Sequence, residues 1–218
     1  MSFDTLAPYY RWMEMVLAGQ TMHRCRTAFL DQVPTARNIL LLGEGHGRAL
    51  VECRRRFPAA QITCVDASHK MLDQARRNIA RHQLSSARIE YLPVDALAWQ
   101  PPAKNYDLII TNFFFDCFPA EQSKILVEKL AAASTEDANW LVADFQIPTQ
   151  RLKRLRSQLI VWMLYRFFRI ATRLSARALT PPDDFLRASG FKLSRRLEND
   201  WGLFRSDWWQ RDPQFLSA

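Results

Sequence analysis

A doubly wound α/β fold with a mostly parallel sheet is the architecture that this 218-residue sequence predicts, and three observations carry it. Short, almost wholly apolar runs recur along the first two thirds of the chain. Between them lie stretches whose apolar residues fall at helical spacing. The first run ends abruptly in a glycine-rich loop, Gly43-Glu44-Gly45-His46-Gly47. A strand buried on both faces loses the alternation of a half-exposed strand, so apolar runs separated by amphipathic helices mark a parallel sheet covered on both sides.

Taken in order, Tyr10 to Gln32 has helical spacing with Pro34 as a stop, and residues 1–36 form an expected N-terminal helical cap. Asn38–Leu42 is the first strand, and Arg48–Phe57 a helix stopped by Pro58. Gln61–Val65 is a β-branched strand ending at Asp66. Ser68–His82 is a helix with Met71, Leu72, Ala75 and Ile79 on one face. Ile89–Pro93 is the third strand, followed by Asp95 and a Pro101-Pro102 loop. Tyr106–Thr111 is the fourth strand, Glu121–Ala133 a helix, and Trp140–Ala143 a fifth strand ending at Asp144. Past Pro148 the pattern changes: Arg151 to Arg177 reads as one long helix within an insertion over 149–182, closed by Pro181-Pro182. Phe185–Ser189 is a short helix stopped by Gly190, and Phe191–Leu197 with Gly202–Trp209 an antiparallel C-terminal hairpin. The chain from 1 to 218 reads as one domain.

Composition excludes several classes. With 48% apolar and 24% charged residues the chain has the balance of a globular protein. No apolar run behind a basic segment opens it, so no secretory leader is expected. The longest apolar stretch, Leu159 to Ala171, is cut by Arg166 and Arg169, which argues against a membrane span. Cys25, Cys53, Cys64 and Cys117 are scattered, without a CxxC pair or a His/Cys cluster at ligand spacing. A reducing, cytoplasmic setting without a metal site is the expectation. The formal net charge of +8 calls for an anionic partner: nucleic acid, a membrane surface or an acidic substrate.

The glycine loop belongs where open α/β sheets bind ligands, beyond the carboxyl ends of the strands. A dinucleotide fingerprint needs a third glycine at position 48, which is Arg48; the loop spells G-x-G-x-G instead. Asp66 lies 19 residues past Gly47, close to the roughly 20 expected for an acid that accepts both ribose hydroxyls. Together and in register, loop and acid favour a nucleoside ligand. Alone, each is equally well a tight turn and a helix cap at Asp66 or Ser68.

The stretches Ile39 to Gly47, Val65-Asp66-Ala67-Ser68 through Arg76, Val94-Asp95-Ala96 and Tyr106 to Ile110 resemble, in order and spacing, the successive motifs of class I S-adenosylmethionine (SAM)-dependent methyltransferases. The resemblance runs from Arg37 to Asp144 and implies a Rossmann-like sheet of seven strands. It implies that Gly43, Glu44, Gly45 and Gly47 cradle the methionine part of SAM and that Asp66 takes the ribose hydroxyls. Ala67, Ser68 and Met71 would flank the adenine, although Met71 is equally a core methionine. Asp95 and Ala96 would lie near the adenine amino group, with Thr111 and Asn112 facing the sulfonium. S-adenosylhomocysteine would be the product. The opening Phe3-Asp4, Ala7, Tyr10, Gly19 and His23-Arg24 resemble the start of quinone-biosynthesis (UbiE-like) methyltransferases, with Tyr10-Arg11 in place of the usual tyrosine-aspartate pair. That likeness makes Tyr9 and Tyr10 lid candidates.

Methyl transfer from a sulfonium is an in-line displacement at an activated carbon, so alignment and exclusion of water supply much of the catalysis. A base is needed only where the acceptor must lose a proton. Asp116 and Asp144, both expected beyond strand ends, are the candidates. The run from Phe113 to Phe118 either lines an acceptor pocket, with Phe114 on the substrate side, or is core with Asp116 as a helix cap. It has no prolines of the Asn/Asp-Pro-Pro-aromatic type, which argues against nucleobase amino groups.

Residues 151–180 contain no acid, and Arg151 through Arg177 interleave basic and aromatic residues. Three readings stand: a lid over a lipophilic acceptor, peripheral contact with an anionic membrane, and an insertion helix packed as core. RNA binding would need the aromatics exposed for stacking. The leading function is methyl transfer to a small, lipophilic acceptor. RNA or protein methylation, and non-catalytic SAM binding, are the alternatives.

Overall fold

A computed structural model describes residues 19–43, 45–148, 150, 153–161 and 179–215. Tyr9, Tyr10 and Glu44, and all but residues 153–161 of the Arg151–Arg177 helix, lie outside the described residues.

The elements are helix α1 (Gly19–Thr27), β1 (Asn38–Leu42), α2 (Arg48–Arg56), β2 (Gln61–Val65), α3 (His69–Arg81), β3 (Ile89–Leu92), β4 (Tyr106–Asn112), α4 (Ala120–Ala133), β5 (Ser134–Phe145), α5 (Asp183–Ala188), β6 (Phe191–Asn199) and β7 (Phe204–Arg211). Seven strands form one sheet in the order β3-β2-β1-β4-β5-β7-β6. Strands β1 to β5 are parallel, and β7 runs antiparallel to both of its neighbours. This is the Rossmann-like, seven-stranded arrangement with an antiparallel terminal hairpin.

The central strand explains why the sheet is doubly wound. Successive side chains of a strand point to opposite faces. Ile39 and Leu41 pack with Leu50, Leu72, Ala75 and Ile79 from α2 and α3. Leu40 and Leu42 pack instead with Leu126, Val127 and Leu130 from α4, and with Trp140 and Trp209. All four β1 leucine and isoleucine side chains are buried, each stabilising the fold by roughly 2 kcal/mol. A third, smaller cluster lies over the carboxyl ends of β4 and β5, where Met22 and Cys25 of α1 meet Phe113, Ala143, Val161 and Phe204.

The boundaries of β1 and β2 agree with the sequence reading, and α3 is bracketed by Ser68 and His82 as its caps. Strand β5 is longer than expected, beginning at Ser134 directly after α4. Its opening residues, Ser134 to Asp137, are all polar, and Glu136 and Asp137 are exposed, so hydrophobic pattern could not find them. Among the described residues no helix is long and apolar enough to cross a membrane.

Candidate functional site

The loop after β1 takes three left-handed glycines, with φ of +65° at Gly43, +60° at Gly45 and +76° at Gly47. Such values are disfavoured for residues with a Cβ. Their surroundings differ. A Cβ on Gly43 would meet Phe114 Cδ2 at 2.8 Å, and one on Gly47 would meet the backbone Cα of Ala75 at 2.7 Å. On Gly45 it would approach only Met71 Sδ, at 4.0 Å. Gly43 and Gly47 therefore allow close packing, whereas Gly45 leaves its face open for a ligand. Asn78 of α3 donates from Nδ2 to the Gly47 carbonyl at 3.5 Å and braces the loop from below.

Asp66 follows β2 and closes the other wall. Its Oδ1 accepts the Ser68 N–H at 2.9 Å and its Oδ2 the Gly45 N–H at 3.3 Å, so one carboxylate ties loop and helix together. Ser68 is buried as the N-cap of α3, its hydroxyl accepting the Met71 N–H at 3.2 Å. Ala67 is exposed and Met71 buried. Asp95 is exposed in the loop after β3, with Oδ1 accepting the Leu97 N–H at 2.9 Å. That loop is held from α4: Lys129 Nζ donates to the carbonyls of Ala96, Leu97 and Trp99 at 3.2, 2.6 and 3.0 Å. Neither Asn78 nor Lys129 stood out in the sequence, because their partners are distant in the chain.

The ends of β4 and β5 bring the remaining candidates together. Leu42 pairs with Thr111, which sets Asn112 beside Gly43, and Asn112 pairs with Ala143, which sets it beside Asp144. Thr111 differs from expectation. It is fully buried, its hydroxyl accepting the Trp140 indole N–H at 2.9 Å, so it faces the core. Asn112 is 4% exposed, and neither its Nδ2 nor its Oδ1 has a hydrogen-bond partner among the described residues. Leaving a buried polar group unpaired costs about 1–3 kcal/mol, and such groups mark sites built for something else. Phe113 follows at φ +52°, a conformation rare for a bulky residue, held by donation of its N–H to the Ala143 carbonyl at 2.6 Å. This turn directs Phe113 toward Phe145 and Phe204 and returns Phe114 onto Gly43, with Phe118 behind it at a centroid distance of 5.0 Å.

Two carboxyls face each other behind this aromatic run. Burial pushes Asp116 up to about 6, its half-buried side chain lying 3.5 Å from Cys117 Sγ. Burial also raises Asp144 well above the usual carboxylate range; the Asp116 charge adds to this and Arg205 opposes it. Cys117 is raised by burial and then by both carboxylates, so it is a neutral thiol. Arg205 pairs with Asp144 in register across β5 and β7. Its Nη1 lies 2.7 Å from Asp183 Oδ2, and Arg196 bridges Asp183 and Asp207 at 2.6 Å each.

The sign of these shifts gives a pH prediction. Both folded-state values lie above the unfolded ones, so the stabilisation is fully present below the ordinary carboxylate pKa; the part from Asp116 is lost as pH rises through about 6, and the part from Asp144 is lost above the usual carboxylate range. Melting temperatures measured between pH 4 and 8 should therefore carry a decline through that window. In Asp144→Asn the decline should flatten, because the variant removes the raised titration of Asp144 itself. An unchanged slope in the variant would mean that Asp144 does not contribute to the decline.

Sheet order and the glycine loop after β1 define an α/β fold of the Rossmann-like type. Residues 39–137 match the family model described as a methyltransferase domain. Among curated relatives, the malonyl-[acyl-carrier protein] O-methyltransferase of Halalkalibacterium halodurans is 38% identical over 88 residues, covering 39% of this chain and 31% of its own length. The trans-aconitate 2-methyltransferase of Streptomyces coelicolor is 30% identical over 140 residues, 61% of this chain and 45% of its own. A tRNA adenine N6-methyltransferase of Glaesserella parasuis is 29% identical over 154 residues, 64% of each chain. The match thus spans less than two thirds of each relative. Of solved structures, the 1,6-didemethyltoxoflavin N1-methyltransferase of Burkholderia thailandensis superposes with a TM-score of 0.67 at 13% identity, over 96% of this chain and 86% of that one.

Proposed function

We propose that this protein transfers a methyl group from SAM to a small, lipophilic acceptor. The observation that carries the reading is the buried, unpartnered amide of Asn112, set between the open glycine loop and the carboxyl pair. A nucleoside fits the other half of the site, where Gly45 is uncrowded and Asp66 is already oriented by two N–H donors. In this reading Gly43, Gly45 and Gly47 shape the methionine side, Asp66 accepts the ribose hydroxyls, and Asp95, Ala96, Ala67, Ser68 and Met71 form the adenine side. SAM, when bound, supplies an activated methyl group on a sulfonium.

The chain's own residues then align the acceptor. Asn112 hydrogen-bonds it, and Phe114 and Phe118 exclude water from the line of transfer. Asp116, with a pKa of about 6, is largely ionised at pH 7 and close enough to neutrality to accept a proton from an acceptor hydroxyl or ammonium. The ionised Asp116 carboxylate at the acceptor end disfavours an anionic acceptor by repulsion and favours a neutral or amine-bearing one. This separates the proposed acceptor from the malonyl and aconitate groups in the relatives' names.

The test is to incubate the purified protein with methyl-labelled SAM and a cell extract and to partition the products. Label in the organic-soluble fraction supports the reading. Label confined to RNA or to protein overturns the lipophilic acceptor, and SAM binding without label in any fraction overturns catalysis. Asn112→Leu should retain SAM binding by calorimetry and lose the label, because the lost contact is made to the acceptor.

A further inference from the structure

The β6–β7 connection lies at the same end of the sheet as the candidate site, because β6 runs parallel to β5 and ends where β5 ends. Its residues Asp200, Trp201 and Gly202 take φ of +49°, +56° and +86° in succession. The left-handed region suits Gly202 but is rare for a tryptophan. The turn is held from outside. Arg156 donates to both carboxylate oxygens of Asp200 at 3.1 and 3.2 Å, and the Leu203 N–H closes on the Asp200 carbonyl at 3.0 Å. The result is an indole that is 69% exposed.

The same ion pair places helical residues 153–161 beside the turn. One face of that segment is anchored, with Ser157 and Val161 buried. The other shows Leu155 at 65% and Leu159 at 58% exposure, one helical turn apart, next to exposed Arg154 and half-buried Lys153. Backbone strain and a charge-assisted clamp thus hold three large apolar side chains in water beside cations. Large apolar side chains held exposed beside cations on one end of the molecule suit an amphipathic, interfacial environment.

We propose that this end of the molecule docks on an anionic lipid bilayer surface. Trp201, Leu155 and Leu159 would enter the boundary between headgroups and acyl chains, while Lys153 and Arg154 meet the lipid phosphates. Charge selects the occupant. The chain carries a net +8, and residues 151–180 hold eight basic residues and no acid. An indole suits the membrane interface, and basic side chains add attraction to anionic headgroups. Three separated apolar side chains are enough for shallow insertion but do not make the continuous packed core of a protein interface. Docked this way, the mouth of the candidate site faces the bilayer.

The experiment is sedimentation of the full chain with vesicles of phosphatidylcholine alone, or with about a third phosphatidylglycerol. Binding is expected only to the anionic vesicles, falling as salt is raised. The double substitution Trp201→Ser, Leu159→Ser should weaken it about tenfold or more, and Arg154→Glu at least about fivefold. Both variants alter exposed side chains, so unchanged melting temperatures should show that the fold is kept. Absence of binding to anionic vesicles overturns the proposal, as does equal binding by the variants or capture by a protein partner alone. Vesicle binding needs no methyl transfer, so this proposal and the acceptor reading fail separately.

Discussion

Asp66→Ala should lower SAM affinity by roughly 30- to 150-fold, about 2–3 kcal/mol, because a charged acceptor of two ribose hydroxyls is removed. The effect has two sources. The carboxylate is the proposed ribose contact, and it also accepts the N–H groups of Gly45 and Ser68, so its loss unties the glycine loop from α3. Asp66→Asn separates them. The amide keeps an acceptor for one of these bonds but lacks the charge, so its affinity should fall between those of the wild type and Asp66→Ala. Calorimetric titration measures both, and unchanged affinity in the alanine variant would remove the ribose from this position.

The second large effect is on stability. Gly47→Ala places a Cβ where φ is +76° and where the backbone of Ala75 is 2.7 Å away. The left-handed conformation costs roughly 1–2 kcal/mol and the overpacking a further 1–3 kcal/mol. Because the obstacle is helix backbone, α2 and α3 must move apart to relieve it. For a chain of this length a loss of about 3 kcal/mol lowers the melting temperature by roughly 6–12 °C. Gly45→Ala meets no comparable obstacle and should cost only the conformational part. Equal losses in the two variants, read from thermal melts, would mean that the helices yield without strain.

The glycine loop and strand-end acid of the proposed nucleoside half were legible in the sequence because their signals are local. A buried strand, three glycines and an acid at a set spacing lie between Asn38 and Asp66. What spacing could not reveal is the division among the glycines, since Ala75 and Phe114 decide it and neither is a neighbour in the chain. The acceptor half was partly legible. Asp116 and Asp144 were recognisable at strand ends, and the register brings both ends to one place. The burial of Thr111 left no sequence signal, because its partner, the Trp140 indole, is reached only across the sheet. The ionic group of Asp183, Arg196, Arg205 and Asp207 left no sequence signal. Its members are unremarkable charges until three elements fold together.

The pairing of Asp144 with Arg205 also has a bearing on the order in which the molecule can become competent. Strands β1, β2 and β3 are joined by short crossovers, so the nucleotide pocket can assemble from early, mostly local contacts. The electrostatic environment of Asp144 depends on β7, the last of the sheet's strands in chain order. A chain in which β7 has not yet paired with β5 would lack the cation that opposes the rise of Asp144, so the charge state of that carboxyl is tied to completion of the sheet.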